Sequence, residues 1–338
     1  MMPINIHNVD LFVKTMTVLV CATAPIAAQS SVDAHVAAAR KAAGSEYQAL
    51  ADRLCTPPKP APPAATPPQP RPAGPPARST WYAKPAKVFD NLYFVGQTEY
   101  SAWAVVTSDG IIVIDPIFDY SVEEEVVNGL RTLGFDPAAI KYVLISHAHS
   151  DHVGGASYLQ DRFNAKVIMS EADWALLEST TTSWRKPRRE LVATDGQRLT
   201  LGDTTLTLHL TPGHTLGTIS TLIPLRDGSA RHVAAYWGGT AFNWVTNRRA
   251  YITPDRPDSF WFNHYIESAM RFRELARAAG ADVMLSNHTD FDGSKTKLPA
   301  LAARRSGDPH PYVVGQPSVA RYLTVAEECA RAASLRTR

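Results

Sequence analysis

Four side chains that can bind a metal ion stand within six consecutive residues of this sequence. His147, His149, Asp151 and His152 form an H-x-H-x-D-H pattern, placed where a predicted buried strand ends and a helix begins. In an extended turn the two alternate histidines can reach one ion, while Asp151 and His152 face another. Imidazole nitrogen and carboxylate oxygen are a donor set typical of zinc. Asp151 as a simple helix cap is the alternative, but a cap needs no histidines, so the pattern predicts a metal site.

Two further histidines are predicted to join this site. His214 follows a predicted strand ending at Leu210, and His288 follows one ending at Leu285. Loops at the ends of strands are where a rigid sheet positions functional groups. Five other histidines stand alone in strand, helix or polar loop contexts, and we expect none of them to bind metal: His35, His209, His232, His264 and His310.

The elements that position these residues alternate between strand and helix. Period-two and buried apolar runs predict strands at Leu92–Gly96, Ala102–Thr107, Ile111–Asp115, Tyr142–Ile145, Val167–Met169, Thr205–Leu210, Ile219–Ile223, His232–Tyr236 and Val283–Leu285. Helical spacing predicts helices at Val122–Leu133, Val153–Phe163 and about Pro257–Ala279. Two mixed sheets packed face to face with helices outside, an α/β (α+β) αβ/βα sandwich, accommodate this order.

The first 80 residues are predicted to lie outside the catalytic body. Residues 1–28 have the apolar stretch and small-residue end of a secretory signal peptide, which predicts a periplasmic or secreted protein. A start at Met16, an uncleaved anchor and a lipoprotein through Cys21 are the alternatives. Residues 29–56 form a helical extension, with helical spacing from Ser31 to Leu54.

A proline-rich linker at 57–80 follows the helical extension. Pro57–Pro76 contains 11 prolines in 20 residues, which is typical of a polyproline II spacer; a ligand for a proline-reading module is the alternative. The catalytic domain is then expected at 81–338.

Composition argues against a nucleic-acid-binding protein and a membrane-spanning protein, and it leaves open whether the protein has a disulfide. A formal charge of +2, from 34 basic and 32 acidic residues, gives no basis for nucleic-acid binding. No apolar run reaches the roughly 20 residues of a spanning helix, so no stable membrane insertion is expected after signal removal. After that removal Cys55 and Cys329 remain. They form either one bridge between the N-terminal and C-terminal helices or two free thiols.

The metal-binding pattern resembles that of a known family. H-x-H-x-D-H followed by His214 and His288 is similar to the metallo-β-lactamase superfamily of binuclear zinc hydrolases, over roughly Trp81 to Ala333. Within that superfamily, likeness to subclass B3 β-lactamases rests on Ser146–His149, Thr211–Thr215, Tyr312–Gly315 and Arg321–Leu323.

The resemblance implies roles for each site residue. It places His147, His149 and His214 on a first zinc ion, and Asp151, His152 and His288 on a second. Asp115, in Ile114-Asp115-Pro116, matches an acidic residue that supports the ligands from behind. A hydroxide shared by the two zinc ions would attack the lactam carbonyl, with Asp151 orienting it.

One segment departs from the superfamily's thioesterases, lactonases and nucleases. Those enzymes usually carry an acidic residue that bridges both metals, but here the segment reads Trp237-Gly238-Gly239-Thr240. Gly239 cannot bridge, which favours the β-lactamase-like arrangement. The serines that help subclass B3 enzymes bind a substrate carboxylate are also absent, and Thr240 or Asn243 is predicted to replace them.

The predicted function is therefore an exported zinc β-lactamase acting on penicillins, cephalosporins and carbapenems. The main alternative is a zinc hydrolase of the same fold that acts on lactones, thioesters or other esters. A nuclease would be supported only by the basic stretch Ser179–Arg189, which is either a mobile rim of the site or a solvated loop. Trp103 and Phe118 either wall the site or pack in the core. We expect a small-molecule substrate and no nucleic acid, and the sequence indicates no oligomeric state.

Overall fold

The computed structural model describes residues 24–57 and 74–337 of the chain. The predicted signal peptide lies outside these residues up to position 23, and the proline-rich linker lies outside them from 58 to 73. Within the described part, no helix combines the length and the apolar character needed to cross a bilayer.

Seven strands form the first sheet in the order of the chain. Their bounds are β1 Ala86–Phe89, β2 Leu92–Phe94, β3 Trp103–Thr107, β4 Gly110–Ile114, β5 Ile140–Leu144, β6 Lys166–Ser170 and β7 Leu191–Ala193. Strands β1 to β4 pair antiparallel, and β4 to β7 pair parallel. The carboxyl ends of the parallel strands meet at one edge, so the residues that follow β4 and β5 become neighbours.

Five strands form the second sheet, and the order across it is β12-β11-β10-β9-β8. Their bounds are β8 Gln197–Leu201, β9 Thr204–Leu210, β10 Ile219–Asp227, β11 Ala230–Trp237 and β12 Val283–Ser286. Only β11 and β12 pair parallel, and their ends place Gly238 beside Asn287.

The two sheets face each other across an apolar core, with helices on both outer surfaces. Side chains from both sheets fill the space between them, including Phe94, Ile114, Leu208 and Tyr236. Trp103 lies fully buried in this layer, which confirms core packing for that residue. The predicted αβ/βα sandwich is thus confirmed, because each sheet buries one face on the other and its second face under helices.

Eleven α-helices lie in the described part of the chain. Their bounds are α1 Ala24–Ala43, α2 Gln48–Cys55, α3 Asn128–Thr132, α4 Ser150–Val153, α5 Ala156–Phe163, α6 Glu171–Ser179, α7 Asn243–Thr246, α8 Arg248–Tyr251, α9 Asp258–Ala278, α10 Ser294–Ala303 and α11 Gln316–Arg336. The helices α3 to α6 cover the first sheet, and α9 and α11 cover the second.

The N-terminal extension packs on the body as two helices, not one. Gly44, with φ of +53°, ends α1 in the left-handed conformation that favours glycine, and α2 starts at Gln48. Leu50 and Leu54 of α2 lie in the same apolar cluster as α11. Cys55 and Cys329 form a disulfide, which confirms the bridge between the N-terminal and C-terminal helices.

Two other predicted helices are irregular in the structure. The segment 122–133 begins with a π-helical turn at Glu123–Val127 before α3. The segment 153–163 is interrupted at Gly154 and Gly155. The backbone at Gly155 lies so close to the loop after β4 that a Cβ there would be 2.3 Å from the carbonyl oxygen of Pro116. These glycines let the metal-binding segment approach the loop after β4.

The sequence analysis missed three strands and four helices, one of which is the single turn α8. Strands β1, β7 and β8 are short or largely exposed along one face, so no apolar run marks them. Helices α6, α7 and α10 have a small hydrophobic face or a single turn, and α10 contains Pro299. Packing against neighbouring elements stabilises each of these helices and strands more than its own sequence propensity does.

Candidate metal centre

Five strand ends deliver the candidate site residues to one edge of the sandwich. Asp115 follows β4 directly, and the segment 147–152 follows β5 and opens α4. His214 follows β9, Gly238 follows β11 and His288 follows β12. The fold therefore brings His214 and His288 to the four predicted ligands of the segment 147–152.

The first cluster contains three histidines whose ring nitrogens converge. Nε2 of His214 lies 3.1 Å from Nε2 of His147 and 3.1 Å from Nδ1 of His149. The three nitrogens can all serve one ion, since they lie within 4.8 Å of one another.

The opposite nitrogen of each ring is held by the protein. Nδ1 of His147 lies 2.8 Å from the Gly238 carbonyl oxygen, and Nδ1 of His214 lies 2.6 Å from that of Ala241. Each carbonyl can only accept, so these Nδ1 atoms donate and leave the Nε2 lone pairs free. The third ring is held by a side chain: Nε2 of His149 lies 2.8 Å from the hydroxyl of Tyr251 in α8. No motif in the sequence marks Tyr251 as a partner of this ring.

The second cluster joins Asp151, His152 and His288. Oδ2 of Asp151 lies 3.0 Å from Nε2 of His152 and 3.4 Å from Nε2 of His288. Both ring nitrogens of His152 are buried, and each lies close to a carboxylate without making a well-directed hydrogen bond to it. Two imidazoles and a carboxylate offer ligand atoms within 4.8 Å of one another, so this cluster fits a metal. The ring centroids of His147 and His152 are 4.3 Å apart, which makes the two clusters direct neighbours.

Asp115 lies beneath both clusters, where the sequence analysis placed a supporting acidic residue. Its carboxylate accepts hydrogen bonds from the backbone and hydroxyl of Ser146 at 2.7 and 2.6 Å, and from the hydroxyl of Tyr236. Oδ2 of Asp115 also lies 3.3 Å from Nδ1 of His152. The residue has a φ of +53°, a left-handed conformation that aspartate tolerates better than most residues. Asp115 thus orients the start of the metal-binding segment and the ring of His152.

Burial sets the charge state of the site. It lowers the pKa of His147 and His214 well below the ordinary value for histidine and that of His149 to about 4, so these rings are neutral. Burial opposes ionisation of Asp151, but the neighbouring His152 and His288 outweigh it and hold the pKa of that carboxyl well below its usual range. His152 is the exception: burial lowers its pKa, but Asp151 and Asp115 outweigh burial and raise it to about 10, so a metal ion must displace a proton from this ring.

Gly239 backs directly onto the ring of His214. A Cβ at this position would lie 2.5 Å from Cβ and 2.8 Å from Cγ of His214. No side chain fits between the two residues, so no acidic group can occupy this position without displacing His214.

Asp173 is a buried site residue that the sequence analysis missed. Its carboxylate accepts hydrogen bonds from the backbone N–H of Ala148, from the hydroxyl of Thr215 and from the N–H of Gly217. Ala148 stands between two ligand histidines, and Thr215 follows a third. Asp173 lies in α6, which the apolar pattern did not reveal, and no local motif marks it.

Four of the six candidate ligands, two from each cluster, line an open cavity of about 1030 Å³: His149, His214, Asp151 and His288. Thr240 and Asn243 line it. The hydroxyl of Thr240 is buried and lies 3.3 Å from that of Tyr322, while the Asn243 amide lies 3.4 Å from Nε2 of His214. Phe118 stacks on Tyr120 beside this edge.

The basic loop Ser179–Arg189 forms part of one wall of the cavity. Residues 179–184 line the cavity, which supports the rim interpretation for that half. The arginines that follow are paired with acidic residues of the same chain: Arg185 and Arg188 with Asp161, and Arg189 with Glu171. These three arginines are therefore already engaged, which weakens the support that this loop gives for a nuclease.

The histidines predicted to stay outside the site do lie elsewhere. Each has a local partner or stands alone: His35 beside Glu328, His232 beside Asp282, His264 against the Phe260 carbonyl, His310 against the Val88 carbonyl, and His209 within β9.

Comparison with known proteins assigns this site to a family. A profile of the metallo-β-lactamase superfamily matches residues 95–227. The N-acyl homoserine lactonase AttM of Agrobacterium fabrum is 31% identical over 199 residues, which are 56% of this chain and 72% of AttM. The chain belongs to the metallo-β-lactamase superfamily.

Further relatives by sequence are hydroxyacylglutathione hydrolases by name. The hydroxyacylglutathione hydrolase of Acidiphilium cryptum is 29% identical over 224 residues, or 64% of this chain and 79% of that enzyme. That of Xanthomonas axonopodis is 33% identical over 121 residues. The chain spans only about half, or less, of the length of this and two other such relatives.

Solved structures of subclass B3 metallo-β-lactamases share the fold over most of their length. BJP-1 of Bradyrhizobium japonicum superposes with a TM-score of 0.60 at 26% identity, covering 72% of this chain and 91% of that one. FEZ-1 of Legionella gormanii gives 0.57 at 25% identity, covering 71% and 91%. The protein is accordingly a zinc-dependent hydrolase of the metallo-β-lactamase superfamily, with a histidine-rich metal-binding site.

Proposed function

We propose that this superfamily member is a β-lactamase of the subclass B3 type, which opens the lactam ring of penicillins, cephalosporins and carbapenems. The observation that carries the proposal is Gly239. It occupies the segment in which the superfamily's thioesterases and lactonases place a bridging acidic residue, and its Cβ position is filled by the ring of His214. The similarity to subclass B3 structures over more than nine-tenths of BJP-1 and FEZ-1 supports the same conclusion.

We assign two zinc ions to the two clusters. The convergent nitrogens of His147, His149 and His214 would hold the first ion, and Asp151, His152 and His288 would hold the second. When bound, zinc lowers the pKa of water and polarises a carbonyl oxygen as a Lewis acid. The donor sets fit this metal, because imidazole and carboxylate are its usual ligands apart from thiolate.

The chain's own residues prepare the site for hydrolysis. Asp151, held ionised between His152 and His288, is the group that we assign to orient the attacking water. Asp115 holds the ring of His152 in place from behind. No serine nucleophile is required, because water attacks directly.

We also propose that the protein is exported and works in the periplasm or outside the cell. The disulfide between Cys55 and Cys329 supports this location, because such bonds persist in oxidising compartments. The apolar segment before residue 28 supports it independently.

A second candidate function is hydrolysis of lactones or thioesters. The similarity to hydroxyacylglutathione hydrolases and to the lactonase AttM supports it. Gly239 argues against it, since the acidic bridge usual in those enzymes has no room to form.

The experiment that tests the proposal compares substrate classes on one zinc-loaded preparation. Benzylpenicillin, a cephalosporin and a carbapenem are assayed beside S-lactoylglutathione and a homoserine lactone, with and without a chelator. We expect chelator-sensitive lactam hydrolysis at a kcat/KM of about 10⁴ M⁻¹s⁻¹ or more, the lower end of ordinary enzymes. Negligible lactam hydrolysis beside efficient hydrolysis of either other substrate would replace the proposal with the second candidate.

A further inference from the structure

The N-terminal helix α2 contributes a charged side chain to the active-site cavity. Arg53 of α2 lines the same cavity as His149, Asp151 and His288, and Arg256 lines it from the loop after α8. We propose that Arg53, together with Arg256, recognises a carboxylate on the substrate and so selects anionic substrates. The inference rests on the proposed function, for which it names the group that binds the acid of a β-lactam.

The position of Arg53 is fixed by the fold. The neighbouring residues Leu50 and Leu54 are buried against α11, and Cys55, two residues further along, is bonded to Cys329. The carbonyl of Cys55 also accepts a hydrogen bond from the guanidinium of Arg336 at 2.7 Å. Helix α2 is therefore anchored at its C-terminal end, and it presents Arg53 from a rigid backbone.

Neither Arg53 nor Arg256 has a side-chain hydrogen bond or an ion pair with any residue in the described ranges. Other arginines of the chain are paired, as in Arg248 with Asp258 and Arg321 with Glu46. Two unpaired guanidinium groups in one concave site are suited to an anion, which they bind through parallel N–H donors.

The acidic residues of the cavity do not neutralise these arginines. Asp151 is engaged by His152 and His288, and Asp173 accepts three hydrogen bonds from the loops around it. Thr240, the replacement expected from the sequence for the carboxylate-binding serines, has its buried hydroxyl close to those of Ser286 and Tyr322. The arginines are thus the remaining cationic donors for a substrate acid.

Arg53 and Arg256 are both exposed, so the alternative is that they interact only with water, since isolated surface charges contribute little. The test compares benzylpenicillin with its methyl ester, in which the carboxyl group carries a methyl group and no charge. Arg53→Gln and Arg256→Gln remove one guanidinium each, and Arg53→Lys retains a charge. Arg40→Gln is the matched control, because Arg40 is exposed on α1 and does not line the cavity.

We expect Arg53→Gln to raise the KM for benzylpenicillin about tenfold, as for loss of one hydrogen-bonded charge, with kcat little changed. The methyl ester should show no such rise, Arg53→Lys should restore part of the affinity, and Arg40→Gln should match the wild type. Equal effects on acid and ester, or no effect on either, would overturn the inference.

A binding measurement separates this inference from the proposed function. The dissociation constant of benzylpenicilloate, the dicarboxylate formed by ring opening, is measured by calorimetry for the wild type and for Arg53→Gln. If the wild type fails to hydrolyse any lactam, the proposed function fails, while weaker binding to Arg53→Gln still supports carboxylate recognition. Unchanged binding in that variant contradicts it whatever the enzyme hydrolyses.

Discussion

One carboxylate oxygen of Asp173 accepts hydrogen bonds from both metal-binding loops. Oδ2 lies 2.8 Å from the backbone nitrogen of Ala148 and 2.9 Å from the hydroxyl of Thr215. The first donor stands between His147 and His149, and the second directly follows His214. Asp173 therefore fixes the spacing of the three histidines that converge in the first cluster.

Replacing this carboxylate should weaken metal binding without unfolding the protein. Asp173→Asn puts an amide where two donors converge, and we expect zinc affinity at the first cluster to fall about 10- to 100-fold, the usual effect of losing a group that orients metal ligands. Competition with a chromogenic chelator measures it. Asp136→Asn, at an exposed turn, is the control. Unchanged affinity in a folded Asp173→Asn protein would refute the positioning role.

Removing a ligand histidine should reduce both zinc content and hydrolysis. His149→Ala deletes one of the three converging nitrogens, so we expect the zinc bound per chain after dialysis to fall and turnover to be lost. His264→Ala removes a histidine of α9 whose ring meets only the Phe260 carbonyl and ring, and it should keep both. Metal analysis by mass spectrometry and a hydrolysis assay provide the two readouts. Full zinc and turnover in His149→Ala would contradict the assignment.

A single methyl group at Gly239 should displace His214. Because the added Cβ would lie 2.5 Å from that of His214, Gly239→Ala is expected to lose zinc affinity and activity together. Gly129→Ala is the matched substitution, since its nearest new contacts would be 3.4 Å away. Zinc titration of both variants tests this. Normal zinc affinity in Gly239→Ala would contradict the prediction, because it would show that the backbone around residue 239 shifts to make room for the methyl group.

A buried glutamate outside the metal clusters should make stability fall as the pH rises toward 8. Burial raises the pKa of Glu125 to about 8, against 4.5 ordinarily, although the N–H of Ala83 donates to its carboxylate and opposes the shift. The stabilisation from the protonated form is complete below about pH 4.5 and is lost as pH rises through 8.

The stability of Glu125→Gln relative to the wild type should therefore rise between about pH 5 and pH 8. The difference in free energy of unfolding should grow by at most about 1.4 kcal/mol per pH unit. Urea unfolding at several pH values measures it. Glu124→Gln, at an exposed carboxylate paired with Arg78, is the control and should show no such rise. A pH-independent difference for Glu125→Gln would contradict the shifted pKa.

The disulfide should stabilise the fold through the N-terminal helices. A variant with Cys55→Ser and Cys329→Ser is expected to lose about 2–5 kcal/mol of unfolding free energy, since the bond closes a long loop in the unfolded chain. Urea midpoints of this variant and of the reduced wild type should agree. Equal midpoints for the variant and the oxidised wild type would contradict this prediction, because packing on α11 would then stabilise the N-terminal helices without the disulfide.

The sequence by itself determined the composition of the metal centre. Four of the six candidate ligands are local in sequence, so residue type and spacing alone revealed them, and His214 and His288 followed from their places after strands. The sandwich was also predictable from local sequence. Its central strands are continuous apolar runs, and such runs indicate strands that are buried on both faces. Edge strands such as β7, with exposed residues, had no such pattern.

The tertiary structure alone decided what surrounds the ligands. Asp173 and Tyr251 are distant in sequence from the histidines that they hold, and no local motif marks them. Arg53 belongs to a helix that the sequence analysis set apart from the catalytic domain, yet packing on α11 brings it to the cavity. The physical reason is that ligand identity depends on side-chain chemistry, which is local, while orientation and substrate contact depend on which surfaces the hydrophobic core brings together.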